Sequence, residues 1–301
     1  MAYWIPIIIL ACLFFSIASL ADKLVLSGPP QPKSYVFYIG VLNILVVLLI
    51  PFANFGLPNI ASLPWIIMEA IVFIVGLYSM FVALERFDVS RVIPTIGAVQ
   101  PIFIFILTFI FWSNQSLKGT DLLAFIILLI GSSIISFEKN IKISRNYLKI
   151  TLFAALMFSL EYIFSKFVFL NQPFLQGFIW MRIFSFMFVL FFVLNSNFRK
   201  EIFRKQNLLI GKTRIMFFCG QASGGIANFL QSFSIFLAPI SFLPIVNSLR
   251  GIQYVFLFLI TLFFSYFYPK ILKEGISKGL IIKKIISILL IVLGLAILGI
   301  Y

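Results

Sequence analysis

Three ionisable side chains stand near the middle of long apolar runs: Glu161, Arg182 and Arg250. A charge at bilayer depth costs at least ~2.5 kcal/mol on insertion scales, so each one needs a partner or a wet cavity. The planar fork of an arginine holds a carboxylate or phosphate through two parallel hydrogen bonds, and a buried glutamate can pair with a cation or carry a proton. Uncharged polar groups accompany them. Asn247, Arg250 and Gln253 are spaced i, i+3, i+6 and predict one polar stripe on a helix, while Asn228 and Gln231 share a face of the preceding run and Gln100 stands in an earlier one. These eight residues are the candidate substrate-binding set. The competing role for them is helix-to-helix adhesion, since Asn and Gln bond across packed membrane helices. Glu69 and Glu85, near the ends of their run, and Lys23 and Lys166, near helix ends, are expected at the membrane interface, with the lysines snorkelling to water.

The elements that must position these groups are set by composition. Of 301 residues, 62% are hydrophobic and 11% charged, and the mean hydropathy is +1.14, which no soluble surface tolerates. Ten apolar segments follow, at about 4–21, 35–51, 63–84, 90–112, 121–137, 149–169, 174–194, 214–236, 241–267 and 280–300. Each approaches the ~20 residues that a spanning helix requires, and each is continuously apolar rather than alternating as barrel strands are. The expected fold is an all-α membrane protein of ten transmembrane helices. The first segment is expected to be a retained helix and not a secretion signal, because no basic side chain precedes it. The 39 Phe are expected to supply lipid-facing bulk.

Much catalytic chemistry is excluded. There is no histidine, and the two cysteines, Cys12 and Cys219, each lie in an apolar run, so triads, most zinc sites and a disulfide framework lack their parts. Asp22, Asp88 and Asp121 all sit at segment ends, which removes an intramembrane aspartate pair, and no GxxxxGK[ST] loop is present. No cofactor, metal or nucleic-acid partner is expected, and the chain is expected not to be an enzyme.

A basic linker near residues 138–149 divides the chain into halves, 1–140 and 141–301, and the halves align. Ala11 and Ser16 fall on Ala154 and Ser159 at an offset of 143, Gly76 falls on Gly225 at 149, Pro94 on Pro244 at 150, and Gly131 on Gly294 at 163. Five helices per half is an odd number, so the second copy is expected upside down relative to the first, an inverted repeat.

The opening Ala11-Cys-Leu-Phe-Phe-Ser16, the fourth-run Ser90-x-x-x-Pro94-x-x-Gly-Ala-Val-Gln-Pro101 and the closing Gly131-Ser-Ser-Ile together resemble the drug/metabolite transporter superfamily, EamA type, over essentially the whole chain. One departure is that Arg250-Gly251 stands where the first half has Gln100-Pro101. The resemblance implies a secondary carrier or exporter that moves a small metabolite by alternating access through a central cavity between the halves. With the arginines, it leads to a partly anionic substrate such as an amino acid. The alternative is a lipid-linked sugar flippase or scramblase of the same architecture. Proton coupling through Glu161 and a monomeric or homodimeric state are both compatible with the chain.

Orientation follows from basic residues. Nineteen of the 23 Lys and Arg lie in odd-numbered loops and only Lys118 and Lys166 near even ones, which predicts cytoplasmic odd loops and both termini outside a cell membrane that the chain crosses many times. The resemblance alone implies termini inside.

Overall fold

A computed structural model describes residues 3–26, 32–87, 89–115, 117, 119–136, 144–202, 212–267 and 278–299. Those residues are mostly helical, with a non-helical stretch at 53–62 and no strand among them. The helices are α1 (Trp4–Leu26), α2 (Pro32–Leu42), α3 (Leu63–Arg86), α4 (Val89–Phe111), α5 (Thr120–Ser136), α6 (Arg145–Asn171), α7 (Phe174–Leu194), α8 (Ser196–Ile202), α9 (Lys212–Leu237), α10 (Leu243–Ser248), α11 (Gly251–Phe267) and α12 (Lys278–Gly299). Among the described residues, six stretches are long and apolar enough to cross a membrane: Trp4–Asp22, Ser34–Phe52, Leu63–Arg86, Arg145–Asn171, Phe174–Phe191 and Ile240–Ile260. The protein is an all-α, multi-pass membrane protein.

Local sequence explains where the helices start and where they deform. Ser144 opens α6 by accepting a hydrogen bond from the Tyr147 backbone N–H at 3.1 Å, which satisfies one of the orphan donors of the first turn. The second apolar run passes from α2 into a 3-10 helix over Asn43–Phe52 that contains Pro51. Proline has no N–H to donate and crowds the preceding turn, so the tighter winding is the accommodation. The ninth run is also broken. Between α10 and α11 the chain turns at Leu249–Arg250, and Arg250, Ile252 and Gln253 bond back three residues instead of four. The single helix, and the single stripe, predicted for 241–267 are therefore a short helix and a longer one with Arg250 at their junction.

Packing is dominated by a few long pairings. α1 runs along α9, α6 runs along α3, and α5 runs along α12. α6 also meets α4, α1 meets α11, and α4 meets α10. Small residues set the closest of these approaches: a Cβ on Gly131 would lie 3.1 Å from Ile291, and one on Gly294 would lie 2.6 Å from Leu128. Each glycine is met by the residue one turn before the other, so α5 and α12 cross symmetrically at that point.

Lys166 differs from its expected place at the interface. Its side chain is buried and donates to the backbone carbonyls of Ile235 (3.0 Å), Phe236 (3.1 Å) and Ala238 (2.6 Å), closing the C-terminal end of α9. The last carbonyls of a helix have no partner within it and carry the negative end of its dipole, so an ammonium there satisfies both needs. Lys166→Met is expected to lower stability by about 1.5–3 kcal/mol, the usual range for hydrogen bonds to a charged group. A denaturant titration in mixed micelles reads this, and an unchanged midpoint would assign the lysine a merely incidental position.

Candidate functional site

Two carboxylates and two guanidiniums meet among α3, α6, α7 and the α10–α11 turn. Arg182, on α7, donates through Nη2 to Glu69 Oε1 on α3, and both side chains are almost fully buried. The guanidinium lies 4.3 Å from the ring centre of Phe73, one helical turn after Glu69, and 5.6 Å from that of Phe178. A desolvated cation over aromatic faces gains electrostatic stabilisation that the hydrocarbon alone would withhold. The bond is a single one, however: Arg182 Nε and Nη1 and Glu69 Oε2 are buried without partners.

Glu69 is the main correction to the sequence reading. It is fully buried between helices instead of open to solvent at the end of its run. On α3 the spacing of Ile66, Glu69, Phe73 and Gly76 repeats every three or four residues, so Glu69 occupies the face that packs against α6 and α7. That spacing was the available signal. With Glu69 included, this cluster holds two carboxylates and two guanidiniums, and the excess of positive charge implied by two arginines and one glutamate does not arise within it.

Glu161, on α6, is buried and lies within electrostatic reach of Glu69, Arg182 and Arg250. Among the described residues its carboxylate makes no hydrogen bond or ion pair. Arg250 is half-buried, stacks over Phe15 at 4.8 Å from the ring centre, and donates through Nη1 to Gln100 Oε1 at the long distance of 3.5 Å. Its guanidinium has no carboxylate partner among the described residues. Gln100 keeps a buried Nε2 unpartnered, and Asn247 keeps both ends of its amide unpartnered. The Asn247 amide faces the Tyr162 hydroxyl, yet neither completes a bond of normal length. Tyr162, absent from the sequence-derived set, joins it here.

The remaining candidates fall elsewhere. Gln253 spends its amide on α1, donating to Ser19 Oγ at 3.0 Å and to the Phe15 carbonyl at 3.5 Å, which is the helix-joining role. Asn228 and Gln231 on α9 each hold a buried, unpartnered carbonyl oxygen, and neither bonds to the charged group. Two serines that the sequence offered only as repeat matches turn out to be joints. Ser16 Oγ reaches the Cys12 carbonyl at 2.7 Å and that of Gln253 at 2.8 Å, and Ser159 Oγ reaches the Ala155 carbonyl at 2.7 Å and that of Gln100 at 3.2 Å. The Cys12 thiol also points at the Leu249 carbonyl, 3.6 Å away, in the turn that carries Arg250.

Chemically, the arrangement offers one guanidinium and one carboxylate that are uncompensated by direct contacts, surrounded by amide and hydroxyl groups with unused donors and acceptors. It has no nucleophile–base pair, and no group of three or more His, Cys, Asp or Glu suited to a metal occurs among the described residues. It is equipped to hold a small polar molecule.

A protein of known crystal structure superposes on the chain with a TM-score of 0.69 at 16% identity, over 98% of this chain and 94% of that one. The likeness shows a shared fold across nearly the whole length. No family model and no curated protein matches the sequence.

Proposed function

We propose that the chain is a secondary active transporter that carries a small, partly anionic metabolite, such as an amino acid, by alternating access between two inverted five-helix halves, residues 1–140 and 141–301. The observation that carries the reading is the set of buried polar groups without partners around Arg250 and Glu161, contributed by both halves. Buried polar atoms in folded proteins are nearly always satisfied, and where several are not, a ligand or water is the usual explanation.

The duplicated architecture is supported by the pattern of helix contacts. Exchanging the halves converts α1 against α9 into α6 against α3, and α1 against α11 into α6 against α4, while α5 against α12 and α4 against α10 map onto themselves. The Ser16 and Ser159 bridges follow the same exchange, as does the crossing at Gly131 and Gly294. On this reading ten helices cross the membrane, two of them, the second and ninth, with interrupted winding. Irregular backbone at membrane depth is tolerated where it is buried or lines a cavity.

The test is counterflow in proteoliposomes preloaded in turn with neutral amino acids, acidic amino acids and small carboxylates. Exchange of labelled substrate without ATP is the expected result. Movement of a fluorescent lipid with no exchange of any of these solutes would replace the carrier reading by the flippase one.

For orientation we propose that the odd loops, with nineteen of the 23 basic residues, face the cytoplasm and that both termini lie outside. Alkaline phosphatase fused after Tyr301 is then expected to be active and a fluorescent protein fused there dark. The opposite pair of results would invert the topology.

A further inference from the structure

We infer that residues 53–62, between the second apolar run and α3, form a strap that is fixed to α7 on one side and inserted into the headgroup level of the bilayer on the other. Its partner is the lipid surface, and the inference stands apart from the carrier reading. The protein side is a row of hydrogen bonds. Trp180 Nε1 donates to the Gly56 carbonyl at 2.9 Å and Gln176 Nε2 to that of Leu57 at 2.9 Å. Asn59 donates twice to the turn before α7, its backbone N–H to Gln172 Oε1 at 3.2 Å and its Nδ2 to the Asn171 carbonyl at 3.1 Å. Phe55 stacks on the Trp180 ring, 5.2 Å between centres. The strap therefore has a fixed height along α7.

The other side meets no protein. Leu57 and Ile60 are 86% and 87% exposed, more than any other large apolar side chain among the described residues. The strap lies between the spanning stretches Ser34–Phe52 and Leu63–Arg86, and no Asp, Glu, Lys or Arg occurs anywhere between Lys33 and Glu69. Two apolar side chains on an uncharged segment at the membrane's edge gain by leaving water for lipid. Two further observations set the depth. The tryptophans collect at the strap's end of the helices: Trp65 and Trp112 both stack on Phe167, at 4.1 and 4.3 Å, Trp180 holds the strap, and Trp4 packs on Phe242, at 5.8 Å, beyond the end of α9. Indole rings favour the headgroup level, where the ring is among apolar groups and the N–H is within reach of acceptors. The backbone excludes a deeper position. The N–H groups of Gly56, Leu57 and Ile60 make no hydrogen bond among the described residues, and hydrocarbon supplies no acceptor, whereas headgroups and their water do.

The test uses the full chain in phosphatidylcholine nanodiscs, with Cys219→Ser as background because Cys219 is exposed and Cys12 is buried. A nitroxide is attached in turn at Leu57→Cys, at Ile60→Cys and at Leu45→Cys, the last exposed midway along the spanning stretch Ser34–Phe52 as the acyl-chain reference. Collision with oxygen, which concentrates in lipid, is compared with collision with a water-soluble nickel chelate. Both strap positions are expected to meet oxygen severalfold more than the chelate, with a smaller bias than at position 45. Because the side chains of Leu57 and Ile60 are almost wholly exposed, neither substitution removes packing. Adding Trp180→Phe keeps a ring under Phe55 but loses the donor to Gly56, and is expected to raise chelate access at position 57. Readier access to the chelate than to oxygen would place the strap in water, and a bias equal to that at position 45 would place it in the hydrocarbon. Access to neither would mean that protein, such as a second copy of the chain, covers it. Each of these results overturns the inference, and an unchanged chelate access in the Trp180→Phe background overturns the role of α7 in setting the depth. The counterflow assay does not bear on any of them.

Discussion

Arg250→Ala is expected to lower substrate exchange in proteoliposomes by roughly a hundredfold, about 3 kcal/mol, while the protein elutes from size exclusion as wild type does. Both halves of that expectation come from what the side chain touches. Its contacts within the protein are a long bond to Gln100 and the face of Phe15, so truncation removes little that holds helices together. On the proposed binding role, what it does remove is a two-pronged, charge-assisted grip on a carboxylate or phosphate. Arg250→Lys keeps the charge without the fork and is expected to retain part of the exchange. If Arg250 is instead an adhesive between helices, the alanine variant will aggregate in detergent. Normal exchange of an anionic substrate by a well-folded Arg250→Ala protein would remove the binding role altogether.

The other arginine should behave in the opposite way. Glu69→Ala and Arg182→Ala each leave one buried charge without its partner, and breaking a buried pair from one side costs about 3–5 kcal/mol. Both single variants are expected to be lost from the folded fraction in detergent. The double variant Glu69→Leu/Arg182→Met, which replaces the pair by apolar side chains of similar bulk, is expected to recover most of the folded protein, because no charge is then stranded. A double-mutant cycle on thermal stability measures the coupling. Additive losses in that cycle would mean that the contact between Arg182 and Glu69 is not an energetic unit.

The contrast between the two arginines also shows how far sequence reasoning carried. Charges inside apolar runs are conspicuous, so Arg182, Arg250 and Glu161 were legible as a set. Their division of labour was not, because it depends on Glu69, whose depth cannot be counted from the start of its run. The segment before α3 is held down on α7 and on the turn that precedes it: Trp180 Nε1 donates to the Gly56 carbonyl at 2.9 Å, Gln176 Nε2 to that of Leu57 at 2.9 Å, and Ser62 Oγ donates to Gln172 Oε1 at 2.9 Å. A residue six positions into α3 is therefore already among packed helices. Lys166 departs from its expected place for a related reason. Snorkelling is the default for a lysine near a helix end, but the carbonyls of α9 end within its reach, and those are set by tertiary packing. The break in the ninth run is likewise a product of packing: a Cβ on Gly251 would come within 2.5 Å of Ser132, so α11 begins where it is pressed against α5. The apolar runs themselves needed none of this information, since their length and hydropathy follow from the bilayer alone.

The bond between Gln100 and Arg250 joins two residues that the internal alignment makes counterparts, 150 positions apart. On the proposed inverted repeat, counterparts that touch lie near the two-fold axis relating the halves, so in a dimer of identical five-helix units that position would set a residue against a copy of itself. Arginine there would face arginine, two like charges at membrane depth, and glutamine would face glutamine with no charge to offer. A single polypeptide escapes the choice, because each copy can change alone. If the halves descend from one self-pairing unit, a lone cation at that position became possible only once the two copies could differ, and the ancestral homodimer must have recognised its cargo without it.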